Sequence, residues 1–234
     1  MNETRDEHRF TRRRSLITIG GVVGAALGLR GLEPEDAESA SAGGPAAVAT
    51  GVVSCVLTPE LTEGPYYVAG EKVRRNITEG RPGTPLALAL TVVNASTCKP
   101  INGAAVDIWH ADALGTYSGV QGNTGTFMRG IQRTNAYGVA HFTTVYPGWY
   151  TGRAVHIHVK VHLGGRVVHT GQLFFSDTLT DAVYKRSPYN KRPNRDVRNA
   201  ADSIYRNGGS KSVLKVVKHA SGYVGSVAMG VHRT

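Results

Sequence analysis

Charge is sparse along much of this 234-residue chain: charged residues make up 19% and aromatic residues 7% of it. No run reaches the eighteen or so uninterrupted apolar residues of a membrane-spanning helix, and the Gly-rich stretch 16–29 is the longest candidate. That excludes a multispan membrane protein. The 41% hydrophobic content excludes a disordered chain, and no heptad pattern supports a coiled coil. Cysteine is limited to Cys55 and Cys98, too few for a disulfide-stapled miniature fold, and a chain this long can bury a core without staples. What is plentiful is glycine, 29 residues, which favours a turn-rich β protein over a helical bundle.

The first forty residues read as an address. Thr11-Arg12-Arg13-Arg14-Ser15-Leu16-Ile17 precedes a weakly apolar Gly/Ala segment, and Ala40-Ser41-Ala42 offers small residues at signal-peptidase spacing. Paired arginines before Ser-Leu-Ile predict a twin-arginine signal over 1–42, export in the folded state and a secreted protein, with a basic amphipathic tail as the alternative. That route often accompanies cofactor loading before export. Residues 43–54 read as a flexible linker, and 55–234 as the functional domain. After cleavage no stable membrane insertion is expected. In an oxidising compartment Cys55 and Cys98 predict one disulfide, worth roughly 3–5 kcal/mol in the chain-entropy model; two buried thiols are the alternative.

Residues 1–42 hold 6 Lys/Arg and 7 Asp/Glu, so the remainder carries 21 basic against 10 acidic side chains, net +11. Residues 185–218 concentrate 10 basic and 2 acidic groups. The stretch lacks aromatic interleaving for base stacking, so it reads as a solvated surface with affinity for anionic polymers or cell envelope, with no nucleic-acid partner.

Short β-branched runs recur between turn signals at 86–93, 104–110, 138–145, 155–163, 166–175, 212–218 and 222–231. They predict a mainly β protein, a two-sheet β-sandwich with long loops and one or two short helices. Val197, Ala200, Ala201, Ile204 and Tyr205 recur at helical spacing, and Gly208-Gly209 ends the pattern, predicting one helix over 197–206.

The chemistry-bearing segment is Arg153-Ala-Val-His156-Ile157-His158-Val159-Lys160-Val161-His162. On a strand, His156 and His158 share one face, roughly 6.7 Å apart, with Ile157, Val159 and Val161 on the other. Two imidazoles at that spacing can meet at one metal ion, although alternating polar residues on a solvated strand give the same string. Just upstream, Tyr146-Pro147-Gly148-Trp149-Tyr150 forms an aromatic Pro-Gly turn, and Tyr117 sits on another turn after a strand. Lys160 and His162 read as edge or pocket-rim groups, and His110, His141 and His169 as structural.

In order, the chain carries Glu63-Gly64-Pro65-Tyr66-Tyr67, Asp107-Ile-Trp109-His110, Gly115-Thr-Tyr117-Ser118, Tyr146-Pro-Gly-Trp-Tyr150, Gly152-Arg153-Ala-Val-His156-Ile-His158 and Thr170-Gly-Gln172-Leu. This set resembles the intradiol ring-cleavage dioxygenases, the group containing protocatechuate 3,4-dioxygenase and catechol 1,2-dioxygenase. The resemblance implies one mononuclear, non-haem Fe(III) per chain, held by Tyr117, Tyr150, His156 and His158. It implies that Tyr150 is the tyrosinate displaced by substrate, that Arg153 is poised over the substrate, that Gln172 lies in the pocket and that Tyr66 lies behind the ligands. Trp149 is assigned with Tyr66 to the substrate pocket. The implied partners are a small aromatic diol (catechol, hydroxyquinol or a lignin-derived diphenol) and O2, and a homo-oligomer is compatible with it. The Tyr150–His156 connection is short for that family, and no segment resembles the helical region through which catechol 1,2-dioxygenases dimerise. Two alternatives stand beside it: a metal-free, secreted β-sandwich module gripping anionic polymers, and a copper or zinc protein using His156, His158 and another histidine.

Overall fold

A computed structural model describes residues 57–232. The signal peptide expected over 1–42, the linker expected over 43–54, and Cys55 with its expected pairing to Cys98 lie outside the described residues. Among the described residues eight strands form two four-stranded sheets: β1 (Pro85–Asn94), β2 (Ala105–Trp109), β3 (Arg129–Arg133), β4 (Val139–Val145), β5 (His156–Leu163), β6 (Arg166–Phe174), β7 (Lys215–His219) and β8 (Gly222–Val231). The first sheet has the order β4-β1-β8-β7 and the second β3-β2-β5-β6. All neighbours are antiparallel except β1 and β8.

Leu-Ala-Leu-Ala-Leu in β1 is a period-two pattern, and it sends Leu86, Leu88 and Leu90 inward. Val106 and Ile108 of β2, Ile157, Val159 and Val161 of β5, Leu173 of β6 and Phe142 of β4 join them in one core between the sheets. Each such fully buried side chain contributes about 1.5–3 kcal/mol of transfer free energy. The mainly β sandwich expected from sequence is the observed fold. Every predicted strand appears. β3 was not anticipated: its sequence, Arg-Gly-Ile-Gln-Arg, has no apolar alternation.

Among the described residues two α-helices accompany the sheets, α1 (Asp177–Tyr184) and α2 (Ser203–Arg206). The single helix expected over 197–206 is not formed. Asn199–Ala201 makes a 3-10 turn, Asp202 adopts extended backbone (φ −77°, ψ 122°), and α2 begins only after it. Asp202 is the reason: its carboxylate accepts hydrogen bonds from Ile204 N and Tyr205 N, capping a new helix, and from Arg153 Nε and Ala154 N, which hold it in place. No helix among the described residues is long and apolar enough to cross a membrane.

The outward face of the second sheet is also covered. β5 is buried on both faces through Val161, so His156, His158 and Lys160 are shielded from water by the loops over residues 58–72 and 110–128.

Candidate metal centre

Two turns deliver the tyrosines. Between β2 and β3, Asp112 Oδ1 accepts from Leu114 N (2.9 Å) and Thr116 N (3.0 Å), closing the turn that presents Tyr117. Arg129 of β3, almost fully buried, donates to the Ser118 carbonyl (2.7 Å) and is paired with Glu71 (3.4 Å), which pins the other side of Tyr117. The second turn, 146–150, packs directly on the first. A Cβ on Gly148 would lie 2.5 Å from the Asp112 and Ala113 carbonyl oxygens, and Gly148 N donates to Asp112 O (2.9 Å). Only glycine allows these backbones to approach so closely, and the approach brings Tyr117 and Tyr150 together, ring centroids 5.5 Å apart.

β5 supplies the imidazoles. His156 Nε2 and His158 Nε2 are 3.0 Å apart, and the Tyr150 hydroxyl is 3.2 Å from His156 Nε2. His156 Nδ1 is 2.7 Å from the Ala154 carbonyl, which can only accept, so that nitrogen carries the proton of the neutral ring and Nε2 is left as a lone pair. The His158 ring is stacked under Trp109 (4.8 Å, 4°) and backed by Gly64. Tyr117 closes the remaining side, its ring 6.2 Å from that of His158.

Arg153 stands at the edge. Its Nη1 is 3.5 Å from the Tyr150 hydroxyl, its Nη2 donates to Gln172 Oε1 (2.6 Å), and its Nε donates to Asp202 Oδ2 (2.9 Å). Gln172, fully buried, donates in turn to the Thr62 carbonyl (2.9 Å). Tyr66 packs on Tyr117 (4.6 Å) and edge-on to Tyr150 (5.8 Å). Trp149 goes elsewhere: it packs into the core between the sheets beneath the Arg192 guanidinium, apart from the aromatic cluster of Tyr66, Tyr67, Trp109, Tyr117 and Tyr150.

The electrostatics fit a cation. Burial, reinforced by Arg153, lowers the His156 imidazole to about 3. Burial, then the neighbouring His156, pushes His158 well below its ordinary value. Burial raises Tyr117 well above the usual phenol value, with Tyr150 adding to it, and burial also raises Tyr150 against the opposing pull of Arg153. The Tyr117 hydroxyl and His158 Nδ1 are buried without hydrogen-bond partners. Tyr150 Oη and the two Nε2 atoms thus face one another with the Tyr117 ring beside them, and the imidazole lone pairs are not all met by protons within the set. A hard, highly charged ion suits this set: it takes imidazole lone pairs and favours the phenolates that burial alone opposes. His110 is no part of it, since its nitrogens bond Ala111 O (2.8 Å) and Thr144 Oγ1 (2.8 Å). Among the described residues no three His, Cys, Asp or Glu side chains form a metal-binding group, which tells against a three-histidine copper or zinc site.

The Dioxygenase_C family model, described as "Dioxygenase", matches residues 62–185, more than half of the chain. The intradiol ring-cleavage dioxygenase of Tetranychus urticae is 36% identical in sequence, its structure superposing with a TM-score of 0.73 over 76% of this chain and 95% of that one. This chain belongs to the intradiol ring-cleavage dioxygenases. The dioxygenase domain of a carbohydrate-binding fusion protein from Streptomyces sp. SirexAA-E is 31% identical over 76% of this chain and 99% of that domain, with a TM-score of 0.60. Catechol 1,2-dioxygenase 1 of Acinetobacter lwoffii is 35% identical over 103 residues, 40% of this chain, and the alignment spans only 32% of that protein's length.

Two contributors to this intradiol dioxygenase site were not singled out from sequence. Gly64 is one residue of the motif at 63–67, and its φ of +74° and the scant room for a Cβ against His158 Cε1 (3.2 Å) make it a wall of the site. Asp202 falls inside the helix expected over 197–206. Its one sequence signal is an acidic residue inside an apolar helical pattern and a basic segment, followed by Ser-Ile-Tyr in the manner of an N-cap.

Proposed function

We propose that the chain is a ferric-iron-dependent intradiol dioxygenase that inserts both atoms of O2 into a catechol-type ring, catechol or a 1,2,4-trihydroxylated relative. Cleavage between the two hydroxylated carbons gives a cis,cis-muconate-type diacid. The observation that carries this reading is the meeting of Tyr117, Tyr150, His156 and His158 beside the Arg153 guanidinium.

Ferric iron, when bound, supplies the Lewis acidity that ionises the phenols and makes the chelated diol electron-rich enough to meet O2. The chain's own groups do the rest. Tyr150 Oη, within reach of Arg153 Nη1, is the oxygen that accepts a proton from an incoming diol hydroxyl. Arg153 then presents fixed positive charge where negative charge develops on the ring oxygens. His156 stays oriented through Ala154 O, and Trp109, Tyr66 and Tyr117 keep water from the donor atoms.

Export by the twin-arginine route belongs to the same proposal, supported by Arg12-Arg13-Arg14 and the Ala40-Ser41-Ala42 site. A polymer-gripping role has weaker support. Four of the ten basic side chains of that segment are engaged within the chain: Arg192 on the Trp149 carbonyl, Arg195 on Asp177 and Asp181, Arg198 on Asp181 and Arg206 on Ala200 O.

The test is turnover of catechol under labelled ¹⁸O2. Both labelled oxygens should appear in the ring-opened diacid; a product with one labelled oxygen, or none, contradicts the proposal.

A further inference from the structure

Asp202 is buried, 2% exposed, in the most basic part of the chain. Its carboxylate accepts four hydrogen bonds. Oδ1 takes Ile204 N (2.8 Å) and Tyr205 N (3.0 Å), and Oδ2 takes Arg153 Nε (2.9 Å) and Ala154 N (2.8 Å). The first pair is a helix cap. The second pair is not needed for capping, and it reaches 48 or 49 residues back along the sequence to the site.

We propose that Asp202 is a positioning residue, one carboxylate that sets both the Arg153 guanidinium beside Tyr150 and the Ala154 peptide that orients His156. It lies beyond residues 62–185, the part of the chain that the family model matches.

An arginine side chain is long and rotamer-rich, so a single contact does not fix where its charge points. Here Nε is held by Asp202 and Nη2 by Gln172 Oε1, so Nη1 is left facing the Tyr150 hydroxyl. The same Oδ2 holds Ala154 N, and the carbonyl of Ala154 receives the His156 Nδ1 proton. Two elements of the site therefore share one anchor on the loop before α2. What Arg153 does once placed rests on the function proposed above; the placement itself does not.

The test compares wild type, Asp202→Asn, Arg153→Ala and the double variant, with Asp202→Ser added because serine caps α2 but is too short to reach Arg153. In metal-free, ¹⁵N-labelled protein, the Arg153 Nε–Hε resonance should be shifted and protected from exchange in wild type. It should revert to a solvent-like position in Asp202→Ser. On iron-loaded protein, Asp202→Asn should lower kcat about 10²-fold, the scale of a catalytic group misplaced by an ångström. The same change in the Arg153→Ala background should cost much less, the remainder being the part that acts through Ala154 and His156. Equal fold-losses in both backgrounds, or an unaltered Arg153 resonance in Asp202→Ser, would overturn the proposal. If iron-loaded wild type opens no catechol ring, the proposed function fails, and the resonance arm still decides the role of Asp202.

Discussion

His156 Nε2 and His158 Nε2 stand 3.0 Å apart inside a site from which water is largely excluded. Since His156 Nδ1 is committed to the Ala154 carbonyl, the facing Nε2 is a lone pair. His158 can then either donate to it, leaving its buried Nδ1 as an unpaired acceptor, or turn a second lone pair toward it. A metal ion between the two rings takes up both facing lone pairs, leaving only the His158 Nδ1–H without a partner among the described residues. Replacing His158 by alanine should therefore abolish iron retention while leaving the fold intact. Full iron occupancy in the variant, measured by elemental analysis after gel filtration, would contradict the ligand assignment.

Tyr150 is the phenol within reach of Arg153, and Tyr117 is the more deeply buried. On the proposed function, Tyr150→Phe removes the proton acceptor for the incoming diol. Catechol binding, followed anaerobically by stopped flow, should slow by at least about ten-fold, and the visible band of the resting protein should shift. An unchanged spectrum with unchanged turnover would remove Tyr150 from the site.

Gly64 combines a φ of +74° with a virtual Cβ 3.2 Å from His158 Cε1. Gly64→Ala should lower stability by about 1 kcal/mol or more through the backbone alone. It should also weaken iron binding by displacing the His158 ring. Metal titration and thermal melts read the two effects separately, and a variant with wild-type values in both would show that the contact has no such role.

Acid should destabilise the metal-free protein. Burial holds His110 and His169 at about 4, against an ordinary value near 6.5, so the unfolded chain binds more protons than the folded one between those limits. Stability falls as pH is lowered through that window, each group contributing up to roughly 3 kcal/mol. Asp107, raised to about 7 by burial, has the opposite sign: its contribution to stability falls as pH rises from about 4 toward 7. Urea midpoints between pH 7 and 4.5 should drop less steeply in His169→Leu than in wild type. Parallel curves would show that His169 titrates normally in the folded state.

The strands were readable in the sequence because their physics is local. Leu86, Leu88 and Leu90 alternate with alanine, and His156-Ile157-His158-Val159 alternates polar with apolar, so the period alone gives element and face. β3 was not readable because Arg129 owes its burial to Glu71 and the Ser118 carbonyl, partners that are distant in sequence. The 197–206 helix failed for a related reason: the apolar spacing is present, but Asp202 is held by Arg153 and Ala154, nearly fifty residues away. Within the site, His156, His158, Tyr117 and Tyr150 came from motifs whose meaning lay in a family resemblance. Composition could not have shown that Gly115 and Gly148 let their two turns dock, or that Trp149 points into the core. Such facts arise only when backbones approach.

Iron content together with the visible spectrum of the purified protein, before and after anaerobic addition of catechol, tests the central claim most directly. One iron per chain should accompany a burgundy colour from phenolate-to-Fe(III) charge transfer, and catechol should shift that band to longer wavelength. A colourless protein carrying stoichiometric zinc, or a band indifferent to catechol, would contradict the assignment of Tyr117, Tyr150, His156 and His158 as the ligands.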